Sequence, residues 1–185
     1  MENSLISRLL PQGGTQLLHR AVLVGLGVVV LAVSAHIQLP FWPVPMTLQT
    51  LAVLLIAATA GLRLGVSTLL AYLASGAVGL PVFAGGAGLA YMAGPTGGYL
   101  AGFVLAAAIV GWLADRGHGR KVLSAVAMLL AGDVAIFALG TGWLSVLFGA
   151  EKAVADGLLL FIPGEILKIA LGSAVLFAAW KHAKR

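Results

Sequence analysis

The sequence predicts an all-α integral membrane protein of six transmembrane helices, and three observations carry that prediction. Hydrophobic residues make up 61% of the 185 and charged residues only 9%, with a mean hydropathy of +1.06. A soluble domain of this length places charges at about a quarter of its positions, so this chain could not cover its own surface in water. No charged residue falls between Arg20 and Arg63, or between Arg63 and Asp115. Each run is long enough for two spans of roughly 20 residues and a connection. Finally, a count of six puts nearly all the basic residues on one side of the bilayer. Length alone would allow one or two small soluble domains. The apolar sequence is continuous, however, which points to one membrane domain over residues 21–185, preceded by a cytoplasmic segment over 1–20.

The first twenty residues lack the small-residue cleavage site of a removable signal peptide, so the first apolar run, 21–38, is expected to be a retained span. It ends before Pro40-Phe41-Trp42-Pro43-Val44-Pro45, where three prolines in six residues cannot continue a helix. Spans two and three are expected at 47–61 and 64–78. Both are short, which calls for tilt, thinning or partial burial. A glycine-rich connection bounded by Pro81 and Pro95 leads to span four, 99–114. Span five follows Asp115-Arg116-Gly117-His118-Gly119-Arg120-Lys121 and covers 122–139. A short interfacial helix is expected around 150–160. Span six, 163–180, opens on Pro163, a residue favoured at a first helical turn.

Cytoplasmic loops are enriched in Lys and Arg. With six spans, Arg8, Arg20, Arg63, Arg116, Arg120, Lys121, Lys181, Lys184 and Arg185 share one side, and only Lys152 lies opposite. Both termini are therefore expected in the cytoplasm, in a prokaryotic plasma membrane. The net charge of +5 is explained as topology, so no nucleic-acid partner is expected. The chain has no cysteine, which excludes thiolate chemistry and disulfides.

Three ionisable residues fall within spans: Asp133, Glu165 and Lys168. An intramembrane charge costs a few kcal/mol on insertion scales and marks a functional site by default. Glu165 and Lys168 are three apart and share a helix face. The topology places all three at similar depth, toward the extracytoplasmic side. The alternative for each is a structural ion pair, Glu165 or Asp133 with Lys168. The connection from Gly85 to Tyr99, which includes Gly86, Tyr91 and Tyr99, is a second candidate. Irregular backbone at membrane depth is tolerated where protein or a cavity surrounds it, and glycines let a ligand approach the backbone. It lacks the Lys of a phosphate-binding loop. Tyr91 and Tyr99 would otherwise be interfacial aromatics. A third candidate runs from Pro40 to Gln49, where Trp42, Thr47 and Gln49 offer a ring, a hydroxyl and an amide. Gln49 enters span two and needs a hydrogen-bond partner there. Ala21 and Gly25, four apart on span one, permit close approach of a partner helix. There is no nucleophile–base pair and no His-rich metal motif within the spans, so neither an enzyme nor a metal or cofactor site is expected.

Four blocks together resemble the BioY family. They are Ile37-Gln38-Leu39-Pro40 with Pro43-Val44-Pro45 and Thr47-Leu48-Gln49-Thr50; Gly79-Leu80-Pro81-Val82-Phe83 with Gly85-Gly86; Gly94-Pro95-Thr96-Gly97-Gly98-Tyr99 with Gly102-Phe103; and Phe161-Ile162-Pro163-Gly164-Glu165 through Lys168. The family usually has Asp where this chain has Glu165. The resemblance implies the bundle of a biotin-specific substrate-binding subunit, the S component of an energy-coupling-factor (ECF) transporter. It also implies partnership with a transmembrane coupling subunit, toward which Ala21 and Gly25 would face, and with cytoplasmic ATPases. Biotin would then be held by Glu165 or Asp133 at its ureido N–H groups and by Lys168 at the ureido oxygen. Tyr91, Gly86 and the glycine-loop amides would complete the shell, with Trp42, Phe83 and Tyr99 as walls. Competing classes are an S component for another vitamin and a solitary, oligomeric transporter that works without ATPases.

Overall fold

The computed structural model describes residues 16–182. Arg8, Lys184 and Arg185, and most of the expected 1–20 segment, lie outside the described residues. Helix α1 (Gln16–His36) starts before the expected boundary and stops short of residue 38. The reason is that Gln38–Leu39 (β1) pairs antiparallel with Met46–Thr47 (β2), with Gln38 opposite Thr47 and Leu39 opposite Met46. The proline run is the loop of this small hairpin.

Helix α2 (Gln49–Ala77) is two arms, not one rod. Gly61 interrupts it at φ 79 and ψ −178, a left-handed-side conformation that only glycine adopts readily. A Cβ on Gly65 would lie 3.2 Å from the Cα of Ala57, whereas eight residues along a continuous helix span about 12 Å. The chain therefore turns back at Gly61, and arms 49–60 and 62–77 lie side by side. With them, α1, α4 (Gly97–Asp115), α5 (Val122–Phe148) and α7 (Ile162–His182) complete six spans. The arms reach only about 18 and 24 Å at 1.5 Å per residue, in keeping with the short spans expected.

Two connections differ from the sequence reading. Within the glycine-rich stretch a short helix, α3 (Gly88–Met92), forms before α4 begins. Helix α5 runs nine residues past the expected end at 139. Gly140 does not stop it but makes room: a Cβ there would sit 2.3 Å from the ring of Tyr99. The break comes at Gly149, with φ 86. The expected interfacial helix is α6 (Ala150–Val154) followed by a π-helical turn at Ala155–Leu159.

The contacts sort the molecule into two ends. At one, Leu62 N donates to Asp115 Oδ2 at 3.0 Å, Arg20 and Arg63 line one cleft, and Arg120 lies 5.0 Å over Trp180. This end gathers the start of α1, the Gly61 turn, the α4–α5 loop and the end of α7. At the other end are the β-hairpin, the segment before α4, and α6. Trp143 Nε1 donates to Gly94 O at 2.9 Å there, and Lys152 lies 4.1 Å over Trp42. Between the ends, the outward faces of α1, α5 and α7 expose Leu26, Val30, Val134, Ile166 and Leu171. Such a belt is stable against lipid, where helices satisfy their own backbone. The chain is a multi-pass membrane protein.

Candidate functional site

The site is built where the start of α2 meets the start of α7. Ile162, Pro163 and Gly164 open α7, so Glu165 and Lys168 fall in its first two turns and on one face. Both are buried, at 4% and 8% exposure. Lys168 Nζ donates to Glu165 Oε1 at 2.7 Å, to Thr50 Oγ1 at 2.9 Å and to the Thr47 carbonyl at 2.6 Å. All three of its ammonium hydrogens are thereby directed. The Thr50 hydroxyl in turn donates to Glu165 Oε2 at 2.9 Å and, more weakly, to Oε1 at 3.2 Å. A buried charge pair is tolerable only with such supplementary hydrogen bonds. The strand β2 and the first turn of α2 supply them.

Above this network lies a cleft lined from several parts of the chain. Val44, Pro45 and Thr47 come from the hairpin, Gln49 and Thr50 from α2, and Phe83, Tyr91 and Thr96 from the segment before α4. Tyr99, Phe103, Phe137, Glu165 and Lys168 close it from the helices, and Phe161 from the turn before α7. Most of the wall is apolar, with six aromatic rings in it, and Thr47, Thr50, Glu165 and Lys168 converge at one side. Phe83 stacks on Tyr91 at 5.1 Å and meets Tyr72 edge-on at 5.4 Å. Tyr99 meets Phe137 edge-on at 5.7 Å, and its hydroxyl donates to the Gly157 carbonyl at 2.6 Å. That bond ties the π-helical turn to α4 and leaves the Tyr99 ring, not its hydroxyl, for the cleft.

Of the residues singled out from sequence, Glu165, Lys168, Tyr91, Tyr99, Gln49 and Phe83 all line this cleft. Gly86 does not line it, but bridges to Phe83 across a tight turn, and a Cβ there would lie 2.9 Å from the Tyr91 ring. It thus lets Tyr91 settle against Phe83. Trp42 stays at the rim, 67% exposed, edge-on to Phe148. Asp133 lies in a separate groove between α5 and α7 with Leu130, Val134, Ile166 and Ile169. Glu165 and Phe137 belong to both cavities and form the partition between them. Ala21 and Gly25 lie near the basic end of α1, where Ala21 lines the cleft of Arg20 and Arg63 and nothing approaches within 4 Å of a Cβ on Gly25.

Sequence reasoning passed over Thr50, Phe103, Phe137 and Phe161 as lining residues, and Tyr72 behind them. Thr50 had a local signal, because a hydroxyl beside Gln49 in an apolar span also needs a partner. The aromatic residues had none, since a Phe in an apolar helix has the same pattern whether it faces lipid, core or cleft.

The BioY family model matches residues 5–185 of this chain. The chain is 40% identical over 157 residues to the "Probable biotin transporter BioY" of Pyrococcus horikoshii, covering 84% of this chain and 91% of that protein. It is 36% identical over 163 residues to the "Biotin transporter BioY" of Rhizobium etli, covering 80% and 87%. It is 34% identical over 174 residues to the "Biotin transporter BioY2" of Lactococcus lactis, covering 91% and 95%. Its fold is similar to that of a crystal structure of the S-component for biotin from an ECF-type ABC transporter, with a TM-score of 0.79 over 92% of this chain and 95% of that one, at 24% identity. The chain belongs to the BioY family.

Proposed function

We propose that this protein takes up biotin, binding it in the cleft above Thr50, Glu165 and Lys168 as the substrate-specific subunit of an ECF-type transporter. The observation that carries this is the pairing of an aromatic-walled cleft with one convergent polar side. Biotin has the matching character: an apolar bicycle and chain, with a ureido group bearing two N–H donors and one carbonyl acceptor. A site that leaves polar groups poised for such a ligand rejects analogues that cannot pair with them. By the positive-inside rule, the end bearing Arg20, Arg63, Arg116, Arg120 and Lys181 is cytoplasmic, which puts the cleft at the extracytoplasmic side. The first domain segment, 1–20, and both termini are then cytoplasmic. The lower half of α1 is exposed, with only Leu31, Ser34 and Ala35 buried. That open face, with Ala21 and Gly25, suits a coupling transmembrane subunit, with ATPases below it.

Equilibrium binding of labelled biotin to the purified protein is the test. Saturable binding below the micromolar range supports the reading, and its absence sinks it. A competition panel of other vitamins separates biotin from a different substrate. Uptake by the reconstituted chain alone, without coupling subunits or ATP, would favour the solitary transporter over the ECF assignment.

A further inference from the structure

The network of Glu165, Thr50 and Lys168 is internally paired, whereas Gln49, another polar residue of the cleft, has its amide bonded at the nitrogen end. Gln49 lies in the first turn of α2, 4% exposed. Its Nε2 donates to the hydroxyl oxygen of Tyr72 at 2.6 Å, and that hydroxyl donates to the Val82 carbonyl at 2.9 Å. A backbone carbonyl only accepts, so it takes the single hydroxyl hydrogen of Tyr72. The Tyr72 oxygen must then accept, and of the two ends of the Gln49 amide only the nitrogen can donate to it. A carbonyl two elements away thus fixes which way the amide is turned. Tyr72 is fully buried and edge-packed on Phe83, so the relay has little freedom to rearrange. No described residue donates to the remaining Oε1 of Gln49, which belongs to a residue lining the cleft.

We infer that Gln49 is a specificity-determining residue whose Oε1 is the acceptor for a ligand N–H, held in that polarity by the Val82–Tyr72–Gln49 relay. This rests on the biotin reading of the cleft and deepens it. Both Glu165 oxygens already accept hydrogen bonds and their charge is matched by Lys168. Gln49 Oε1 offers an uncommitted acceptor instead. A ligand with a donor at that position gains a bond. One that presents only an acceptor there leaves Gln49 unpaired and meets it oxygen to oxygen, with no N–H to turn toward it.

The test compares biotin with a cyclic-carbamate analogue in which one ureido N–H is replaced by ring oxygen, each regioisomer in turn. Dissociation constants are measured for the wild type, Gln49→Leu and Tyr72→Phe in nanodiscs. The wild type is expected to prefer biotin over one of the two regioisomers by at least about tenfold. Gln49→Leu should lower that preference several-fold by weakening biotin. Tyr72→Phe keeps the ring packing but frees the amide to turn, so it should lower the preference chiefly by strengthening the carbamate. A merely structural Tyr72 would weaken both ligands in parallel. An unchanged preference in both variants overturns the inference while leaving biotin binding intact. If Gln49→Leu fails to fold, the result for Tyr72→Phe alone decides. A wild type that binds no biotin overturns the functional reading and the relay with it.

Discussion

Lys168 and Asp133 are both buried ionisable side chains inside the helical bundle, 8% and 7% exposed, yet the fold surrounds them differently. Lys168 has three partners from three pieces of chain: Glu165 on its own helix, Thr50 on α2 and the Thr47 carbonyl of β2. Asp133 on α5 has an oxygen, Oδ1, that is buried with no hydrogen-bond partner, and its groove is lined mostly by aliphatic side chains. Glu165 stands between them, bonded on the cleft side and bordering the Asp133 groove on the other. An ionisable group at membrane depth is a functional hypothesis by default. Such groups still divide by their neighbours, Lys168 being bonded to three segments of chain and Asp133 lying in a second cavity among mostly aliphatic side chains.

Substitutions can break or sharpen that division. Lys168→Ala should have the largest effect. Removing one partner of a buried pair leaves an uncompensated charge, at about 3 to 5 kcal/mol. Biotin binding should fall by about a hundredfold or more, and the melting temperature in detergent should drop. Glu165→Gln keeps the shape and an acceptor but not the charge, so affinity in a calorimetric titration should fall by about tenfold or more, since tenfold corresponds to about 1.4 kcal/mol. Thr50→Val removes the hydroxyl that joins the two, which is worth roughly 1 to 3 kcal/mol where charged partners are left short of a bond. Affinity should weaken by about fivefold to tenfold, with a smaller shift in melting temperature than for Lys168→Ala. Asp133→Asn should change affinity least, by no more than about threefold. A loss for Asp133→Asn as large as for Glu165→Gln would erase the distinction and put Asp133 back among ligand-holding residues.

The span count was legible because it depends on local quantities, namely apolar length and the placement of Arg and Lys. Even the difficult pair, 47–61 and 64–78, was separable, since Arg63 interrupts the apolar run and a helix through it would be too long for one crossing. Gly61 proved to be the hinge. The end of α5 was less legible. Gly140 resembles a stop in sequence but is a packing notch for the Tyr99 ring, and which of the two a glycine is depends on what lies across from it. The nine residues gained by α5 carry Trp143 to its bond with Gly94, which holds the segment before α4 in place.

By itself the sequence determined that the chain crosses a membrane six times, that most of its basic residues gather at one end, and that Glu165 and Lys168 share a helix face. Each follows from transfer free energy and helical periodicity, which act over a few residues. Only the tertiary structure decided that Thr50 completes their network, that Asp133 lies behind Glu165, and that Gln49 is turned by Tyr72 and Val82. Those are hydrogen bonds and cavity walls between segments distant in sequence. Their geometry depends on the reversal at Gly61 and on how α7 meets the start of α2, and no local pattern encodes either.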